Sequence, residues 1–169
     1  MRLNLVTVCT GNAARSVMAG AALTQRLPEC IVHTRGTFVV EGQPMSRRTR
    51  AAMESVGLVI PQHASRQTSG SELHNADLVV AMAPEHVTWI RKEFPDAAAK
   101  TATLHRLARH WPHGPDHVAD KVATLGLAGV QLETWEEVLD PGGHELDVFE
   151  ACAREIVDLV DQFVARCIA

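Results

Sequence analysis

Residues 3–16 read LNLVTVCTGNAARS, and the fold prediction depends mainly on these fourteen residues. Its first six residues are apolar or β-branched apart from Asn4, which indicates a buried β-strand. The pair Gly11-Asn12 interrupts the run, and from Arg15 to Leu27 apolar residues recur at helical spacing. A buried strand that passes through a short loop into a helix is typical of α/β proteins.

The remaining chain continues this alternation of strands and helices. Three further apolar runs predict strands over residues 31–34, 77–82 and 102–104. Helices are predicted over residues 46–56, 84–94, 118–127 and 146–168. We therefore expect a single domain over residues 1–169 with an α/β fold, a three-layer sandwich around a central, mostly four-stranded parallel sheet. Ligands bind such sheets beyond the carboxyl ends of the strands, where residues 9–16 form the loop after the first strand.

Composition narrows the class of protein. Hydrophobic residues make up 46% of the chain and charged residues 21%, as in a soluble globular domain. The formal net charge of −4 argues against a nucleic-acid partner. No apolar run has the length of a membrane span, and the N-terminus lacks the features of a signal peptide. We expect a cytoplasmic protein without a membrane partner, a monomer or weak homodimer with free thiols.

The loop after the first strand has the residues that a phosphate ester requires. Its backbone N–H groups can form an anion-binding nest, and the helix that follows adds the positive end of its dipole. Arg15 offers a planar fork to two phosphate oxygens. Cys9 lies at the mouth of the same helix, where a thiolate is stabilised and can attack phosphorus. The residues predicted to bind the substrate phosphate are Thr10, Gly11, Asn12, Ala13, Ala14, Arg15 and Ser16.

The spacing Cys-x5-Arg is weak evidence by itself, because it also arises by chance. The alternative interpretation is a buried structural Cys9 beside a surface Arg15. The preceding strand, the Gly-Asn pair and the following helix together favour a catalytic Cys9, with Ser16 donating a hydrogen bond to its thiolate.

The chain resembles the low-molecular-weight protein tyrosine phosphatase family, which also includes thiol-dependent arsenate reductases. The resemblance covers nearly the whole chain, and its motifs are VCTGN (8–12), RS (15–16), TRGT (34–37), HASRQ (63–67), DLVVAM (77–82) and DP (140–141). It implies that Cys9 and Arg15 are catalytic and that Asp140 is the general acid. It also implies that Asn12, Thr34 and His63 form hydrogen bonds behind the loop.

The residues themselves support the Asp140 assignment only modestly. A leaving oxygen needs a proton, which a carboxylic acid can supply, and two glycines after Pro141 suit a flexible loop over a site. A plain surface turn explains the same residues, because Asp-Pro and Gly-Gly are common turn dipeptides.

Two departures from the family concern redox protection and specificity. Many members carry a second cysteine next to the arginine, where this chain has Ala14. Members that act on phosphotyrosine often have aromatic residues after the Asp-Pro pair, where this chain has Gly142 and Gly143. An aromatic wall would have to come from Phe38 or Trp135, so we expect only a weak preference for phosphotyrosine.

Other clusters do not predict a metal or cofactor site. The histidines His105, His110, His113 and His117 match no zinc spacing, and a solvated loop is the expected structure. Neither a cofactor nor a metal is expected. Cys30 is the one cysteine besides Cys9 that lies outside the last helix, and nothing in the sequence brings it near Cys9.

Three functions remain open at the level of sequence. The leading hypothesis is phosphomonoester hydrolysis through a Cys9 phosphoenzyme with Asp140 as general acid and base, acting on a phosphorylated protein or a small phosphomonoester. The second is arsenate reduction with an external thiol or redoxin. A non-catalytic anion-binding module is the third, and the presence of Cys9, Arg15 and Asp140 together argues against it.

Overall fold

The computed structural model describes residues 3–114 and 116–168. Met1, Arg2, Pro115 and Ala169, which belong to the predicted domain over 1–169, lie outside the described residues. The strands are β1 (Asn4–Cys9), β2 (Ile31–Gly36), β3 (Leu78–Ala81) and β4 (Thr101–Thr103). The helices are α1 (Arg15–Arg26), α2 (Arg47–Ser55), α3 (Gly70–Asn75), α4 (Pro84–Glu93), α5 (Leu104–His110), α6 (Val118–Thr124) and α7 (Leu146–Ile168). Short 3₁₀ turns cover Pro95–Lys100, Leu127–Gly129 and Thr134–Glu136.

The four strands form one parallel sheet in the order β2-β1-β3-β4. Alternate side chains of β1 enter different cores: Leu5 packs in the larger one and Val6 in the smaller. Helices α1, α2, α5 and α7 supply buried residues to the larger core, and α3 and α4 supply them to the smaller. The sheet is therefore covered on both faces, which confirms the predicted three-layer α/β fold.

Helix α7 is the longest helix of one outer layer. Its buried residues include Phe149, Ile156, Val160 and Phe163, and it packs against α1, α2 and α5. This confirms the long amphipathic helix predicted over 146–168. Within the part of the chain that the structure describes, no helix is long and apolar enough to cross a membrane.

The stretch from His105 to His110 is helical, so the expected solvated loop is wrong there. The N-cap is Thr103, whose hydroxyl accepts from the N–H of Arg106. Buried Leu104, Leu107 and Ala108 lie at helical spacing in α5. The seven-residue helix was missed because two histidines and two arginines obscure so short an apolar pattern.

Smaller differences concern element ends and one helix. Strand β2 extends to Gly36, beyond the predicted 31–34, because Gly36 pairs with Cys9 at the end of β1. The helix predicted over 118–127 ends at Thr124 and is followed by a 3₁₀ turn. Helix α3 was not predicted. Its N-cap is Ser69, whose hydroxyl accepts from Glu72 N–H.

Candidate active site

Cys9 is the last residue of β1, and only 3% of its surface is exposed. Its Sγ lies 3.0 Å from Ser16 Oγ in the first turn of α1. Ser16 Oγ also accepts a hydrogen bond from Asn12 Nδ2 at 2.9 Å. Since Ser16 only accepts in its bond with Asn12, its own hydroxyl proton stays available for a hydrogen bond to the Cys9 sulfur. A hydroxyl donor in this position stabilises a thiolate.

The backbone between β1 and α1 presents unpaired donors. None of the N–H groups of residues 10–14 donates a hydrogen bond to another described residue. Helix α1 begins directly afterwards, and its N-cap, Ala14, has no capping side chain. Unpaired loop amides beside the positive end of a helix dipole are an arrangement suited to a tetrahedral oxyanion.

The side chain of Asn12 holds this loop from within. Its Nδ2 donates to Ser16 Oγ and to Thr34 Oγ1 at 3.0 Å, and its Oδ1 accepts from the N–H of Arg66 at 2.9 Å. Asn12 has a φ of 50°, in the left-handed region that asparagine tolerates better than most residues. The loop is thus joined to β2 and to the segment before α3.

The backbone carbonyl of Asn12 is held from the other side. His63 Nε2 lies 2.6 Å from this oxygen, and Ser65 Oγ donates to it at 2.8 Å. Since a carbonyl can only accept, His63 must carry its proton on Nε2. Burial is the largest effect on the pKa of His63 and lowers it, which favours the neutral ring. Both Thr34 and His63 therefore contact Asn12 directly.

Gly36 allows the end of β2 to approach the loop. A Cβ at this position would lie 2.5 Å from the carbonyl oxygen of Thr10 and 3.0 Å from the backbone nitrogen of Asn12. Both atoms belong to backbone, which cannot rotate away as a flexible side chain can. Any larger residue at this position would displace the loop.

Arg15 lies under the loop and is almost fully buried. Its Nη1 donates to the carbonyl of Val138 at 2.9 Å, and its Nη2 donates to Asp140 Oδ2 at 3.1 Å. A guanidinium has five N–H donors, so these two bonds leave three for an oxyanion. The Asp140 side chain is 58% exposed, and its Oδ1 accepts from the N–H of Gly142 at 2.9 Å. The Asp-Pro turn is thereby fixed at the edge of the site.

His86, in the first turn of α4, was missed by the sequence analysis. Its Nε2 forms a 2.9 Å hydrogen bond with Thr10 Oγ1, next to Cys9. Burial, followed by the positive charge of Arg15, lowers the pKa of His86 to about 3. No local pattern marks this residue. Its position after β3 was the available signal, because the carboxyl ends of neighbouring parallel strands meet at one edge of the sheet.

The mouth of the site contains exposed apolar side chains from two loops. Phe38 is 83% exposed, and its backbone N–H donates to the carbonyl of Thr10. Leu139, next to Asp140, is 68% exposed. Trp135 instead packs against the guanidinium groups of Arg106 and Arg109. Of the two aromatic residues considered for the wall, Phe38 is the one that adjoins the loop.

Cys30 lies too far from Cys9 to serve as a relay thiol. Cys30 precedes Ile31, which pairs with Asn4 at the start of β1, whereas Cys9 ends that strand. Five strand residues separate the two positions by roughly 17 Å, far beyond the ~7 Å between Cα atoms that a disulfide can span. Cys152 on α7 is buried, and burial raises its pKa to about 12.

No metal centre is formed by the described residues: they include no group of three or more His, Cys, Asp or Glu side chains that could hold an ion. The imidazole of His105 forms a hydrogen bond with Glu155 instead.

Comparison with known proteins places these features in a family context. The sequence model of the family described as "Low molecular weight phosphotyrosine protein phosphatase" matches residues 4–128. A protein-arginine-phosphatase from Geobacillus stearothermophilus is 29% identical over 167 residues, covering 98% of this chain and 97% of the relative. A probable low molecular weight protein-tyrosine-phosphatase, EpsP, from Ralstonia nicotianae is 28% identical over 162 residues, covering 96% and 94%.

A solved structure agrees with these sequence matches. The YwlE arginine phosphatase from Geobacillus stearothermophilus superposes with a TM-score of 0.76 at 28% identity, covering 96% of this chain and 91% of the other. The similarity therefore extends over the sheet and the helical layers on both of its faces.

Proposed function

Because this chain belongs to the low molecular weight phosphotyrosine protein phosphatase family and is a phosphatase, we propose that it acts through a Cys9 phosphoenzyme. The observation that carries this proposal is the row of unpaired N–H groups at residues 10–14 beside the Cys9 sulfur and Arg15. These donors, with the free N–H groups of Arg15, hold three phosphate oxygens while the sulfur attacks phosphorus. We further propose that residues 1–169 form a single phosphatase-like domain.

The reaction proceeds in two displacements. The Cys9 thiolate forms an S–P bond as the bond from phosphorus to the leaving oxygen breaks. Asp140, protonated at that stage, donates its proton to the leaving oxygen. Asp140 then removes a proton from a water molecule, which attacks phosphorus and releases phosphate and the Cys9 thiolate. The Asp140 role rests on its contact with Arg15, because the family match ends at residue 128.

The loop supports take part as positioning residues. Ser16 stabilises the thiolate before attack and after its release. Thr34 and His63 hold Asn12, and through it the curvature of the loop. A loop held at its side chain and at its carbonyl keeps its donors aimed at the oxyanion before substrate binds, so the transition state requires little reorganisation.

We infer that the substrate is a phosphorylated protein side chain, with small phosphomonoesters also accepted. The buried sulfur requires a substrate group that reaches into the loop, and Phe38 offers one aromatic contact at the mouth. Phosphoarginine is the second candidate, since a relative that matches nearly end to end is named for protein-arginine phosphatase activity. The exposed glycines after Pro141 favour it, because they form no aromatic wall. A cytoplasmic location suits Cys9, because a thiolate nucleophile requires a reducing compartment.

The test combines turnover with binding. Cys9→Ser is expected to abolish hydrolysis of para-nitrophenyl phosphate while phosphate still binds in isothermal titration calorimetry. Cys30→Ser, far from the loop, is the control and should retain activity. Substantial turnover by Cys9→Ser would overturn the phosphoenzyme mechanism. Values of kcat/KM for phosphotyrosine and phosphoarginine peptides then decide between the two substrates.

A further inference from the structure

A wide concavity lies behind the catalytic loop. We call it the α1–β2 cleft: it is bounded by α1, the edge strand β2 and residues 59–66, and its volume is about 940 Å³. Binding sites for small molecules have volumes of about 300–1,000 Å³. The cleft thus has the size of a ligand site, although the mechanism proposed for Cys9 does not use it.

The charged side chains that line the α1–β2 cleft are all cationic. They are Arg35, Arg50 and Arg66, and the lining contains neither Asp nor Glu. This cationic lining occurs in a chain with a net charge of −4. A concave surface of one charge concentrates ions of the opposite charge.

Two of these arginines are available to a ligand. The guanidinium of Arg35 is paired with Glu72, with Nε 2.7 Å from Oε1. In contrast, neither Arg50 nor Arg66 makes a side-chain hydrogen bond or an ion pair with any residue in 3–114 or 116–168. An unpaired guanidinium can bind a carboxylate, sulfonate or phosphate group through two N–H donors.

Part of the remaining wall is apolar. Its accessible apolar side chains are Val32 from β2 and Val59 and Ile60 from the opposite segment. The rim is held by Gln25, whose Oε1 accepts from the N–H of Val59 at 2.8 Å. A ligand with an apolar body and an anionic group would match both parts of this surface.

The cleft shares three residues with the supports of the catalytic loop. Thr34, His63 and Arg66 line it, and each contacts Asn12: two through side chains and Arg66 through its backbone N–H. A ligand that moves any of them changes the position of Asn12. Any coupling between two such sites acts equally in both directions.

We propose that the α1–β2 cleft binds a small amphipathic anion and that its occupancy changes the affinity of the Cys9 loop for oxyanions. The apolar body lies against Val32, Val59 and Ile60, and the anionic group lies between Arg50 and Arg66. The α1–β2 cleft takes no part in the proposed phosphatase reaction, so ligand binding to it can be measured without turnover of a substrate.

The probe is 8-anilinonaphthalene-1-sulfonate, an apolar ring system with one sulfonate, titrated by fluorescence into the full chain. Binding is measured with and without saturating inorganic phosphate, which occupies the Cys9 loop. Arg50→Gln and Arg66→Gln should each weaken probe binding about two- to fivefold, the value of one partly exposed charge pair. Arg47→Gln, on the same helix but outside the cleft, should bind the probe as wild type does.

Coupling is tested by the reverse titration. Phosphate should change the dissociation constant of the probe, and the probe should change that of phosphate by the same factor. Absence of probe binding, or equal binding by wild type, Arg50→Gln and Arg66→Gln, would overturn the site. Complete displacement of the probe by phosphate would place it in the Cys9 loop and also overturn the site. Unchanged phosphate affinity with bound probe would overturn the coupling. Turnover of para-nitrophenyl phosphate by Arg50→Gln, expected to be unchanged without probe, reports separately on the phosphatase mechanism.

Discussion

The guanidinium of Arg15 donates a 3.1 Å hydrogen bond to the carboxylate of Asp140, although 125 residues separate the two positions. Arg15 also donates to the carbonyl of Val138, two residues before Asp140. The buried cation of the loop therefore determines where the exposed Asp-Pro turn lies. In the proposed mechanism, this contact holds Asp140 beside Arg15, where it can protonate the leaving oxygen.

Asp140→Asn should separate substrates by their leaving groups. An amide cannot donate an acidic proton, so an alkyl phosphate should lose about 10²–10⁴-fold in kcat. Para-nitrophenyl phosphate, whose leaving group needs little protonation, should lose far less. Asp147→Asn, at the exposed start of α7, is the matched control. A loss that is equal for both substrates would contradict the role of general acid.

Asn12→Gly and Asn12→Ala should separate hydrogen bonding from backbone conformation. Both variants lose three side-chain hydrogen bonds, worth about 0.5–1.5 kcal/mol each. In Asn12→Ala, the left-handed φ of 50° also strains the backbone, which lowers the free energy of unfolding by about 1–2 kcal/mol relative to glycine. Urea unfolding should therefore rank wild type above Asn12→Gly and Asn12→Gly above Asn12→Ala. Equal stability of the two variants would contradict a strained loop conformation.

His86 should make stability depend on pH below neutrality. Its folded pKa of about 3 is lower than the ~6.5 of an unfolded histidine. Between these pH values the unfolded chain binds a proton on His86 that the folded chain does not bind. The stabilising contribution of His86 is therefore complete above pH ~6.5 and is lost as the pH falls toward 3. The free energy of unfolding should fall by up to about 1.4 kcal/mol per pH unit in that range from this group.

Urea unfolding at pH 7 and pH 5 measures this effect. His86→Asn should show a smaller loss of stability between the two values than wild type, and the exposed His74→Asn should match wild type. Some dependence should remain, because burial also lowers the pKa of His63. Identical losses in wild type and His86→Asn would refute the assignment of the effect to His86.

Oxidation of Cys9 should be irreversible. Ala14 supplies no thiol in the loop, Cys30 is at the other end of the sheet, and the buried Cys152 stays protonated because its pKa is raised to about 12. Peroxide should therefore carry Cys9 past the sulfenic acid to sulfinic and sulfonic acids. Mass spectrometry after treatment, followed by a mild thiol, provides the measurement.

Two variants sharpen the oxidation experiment. Ala14→Cys should recover more activity with thiol than wild type, because a neighbouring thiol can trap the sulfenic acid as a disulfide. Cys152→Ala should behave as wild type. Full recovery of wild-type activity, with a Cys9–Cys30 or Cys9–Cys152 bridge detected, would show that the chain has a resolving cysteine after all.

Phe38→Ala should reduce the preference for aryl substrates. One aromatic contact is worth about 0.5–1.5 kcal/mol, so the ratio of kcat/KM for a phosphotyrosine peptide over an alkyl phosphate should fall about two- to tenfold. Trp135→Ala should leave the ratio unchanged, because that ring packs against Arg106 and Arg109. An unchanged ratio in Phe38→Ala would remove Phe38 from the substrate wall.

The sheet, the long last helix and the strand–loop–helix unit around Cys9 could all be predicted from the residues alone. These features depend on local patterns: apolar runs in β1 and β3, helical spacing in α7, and glycine next to asparagine between strand and helix. The short α5 was missed because seven residues hold too little periodicity to outweigh their polar side chains.

The residues that meet around the loop became known only from the packing of the strands and helices. His86 reaches Thr10 from the end of a neighbouring strand, and Arg15 reaches Asp140 across 125 residues. The separation of Cys30 from Cys9 likewise follows from strand register. Hydrogen bonds between distant residues leave no periodic trace in a sequence, because they depend on how strands and helices pack. The local chemistry of the Cys9 loop could therefore be predicted from the residues, whereas the partners that position it emerge only when the sheet is assembled.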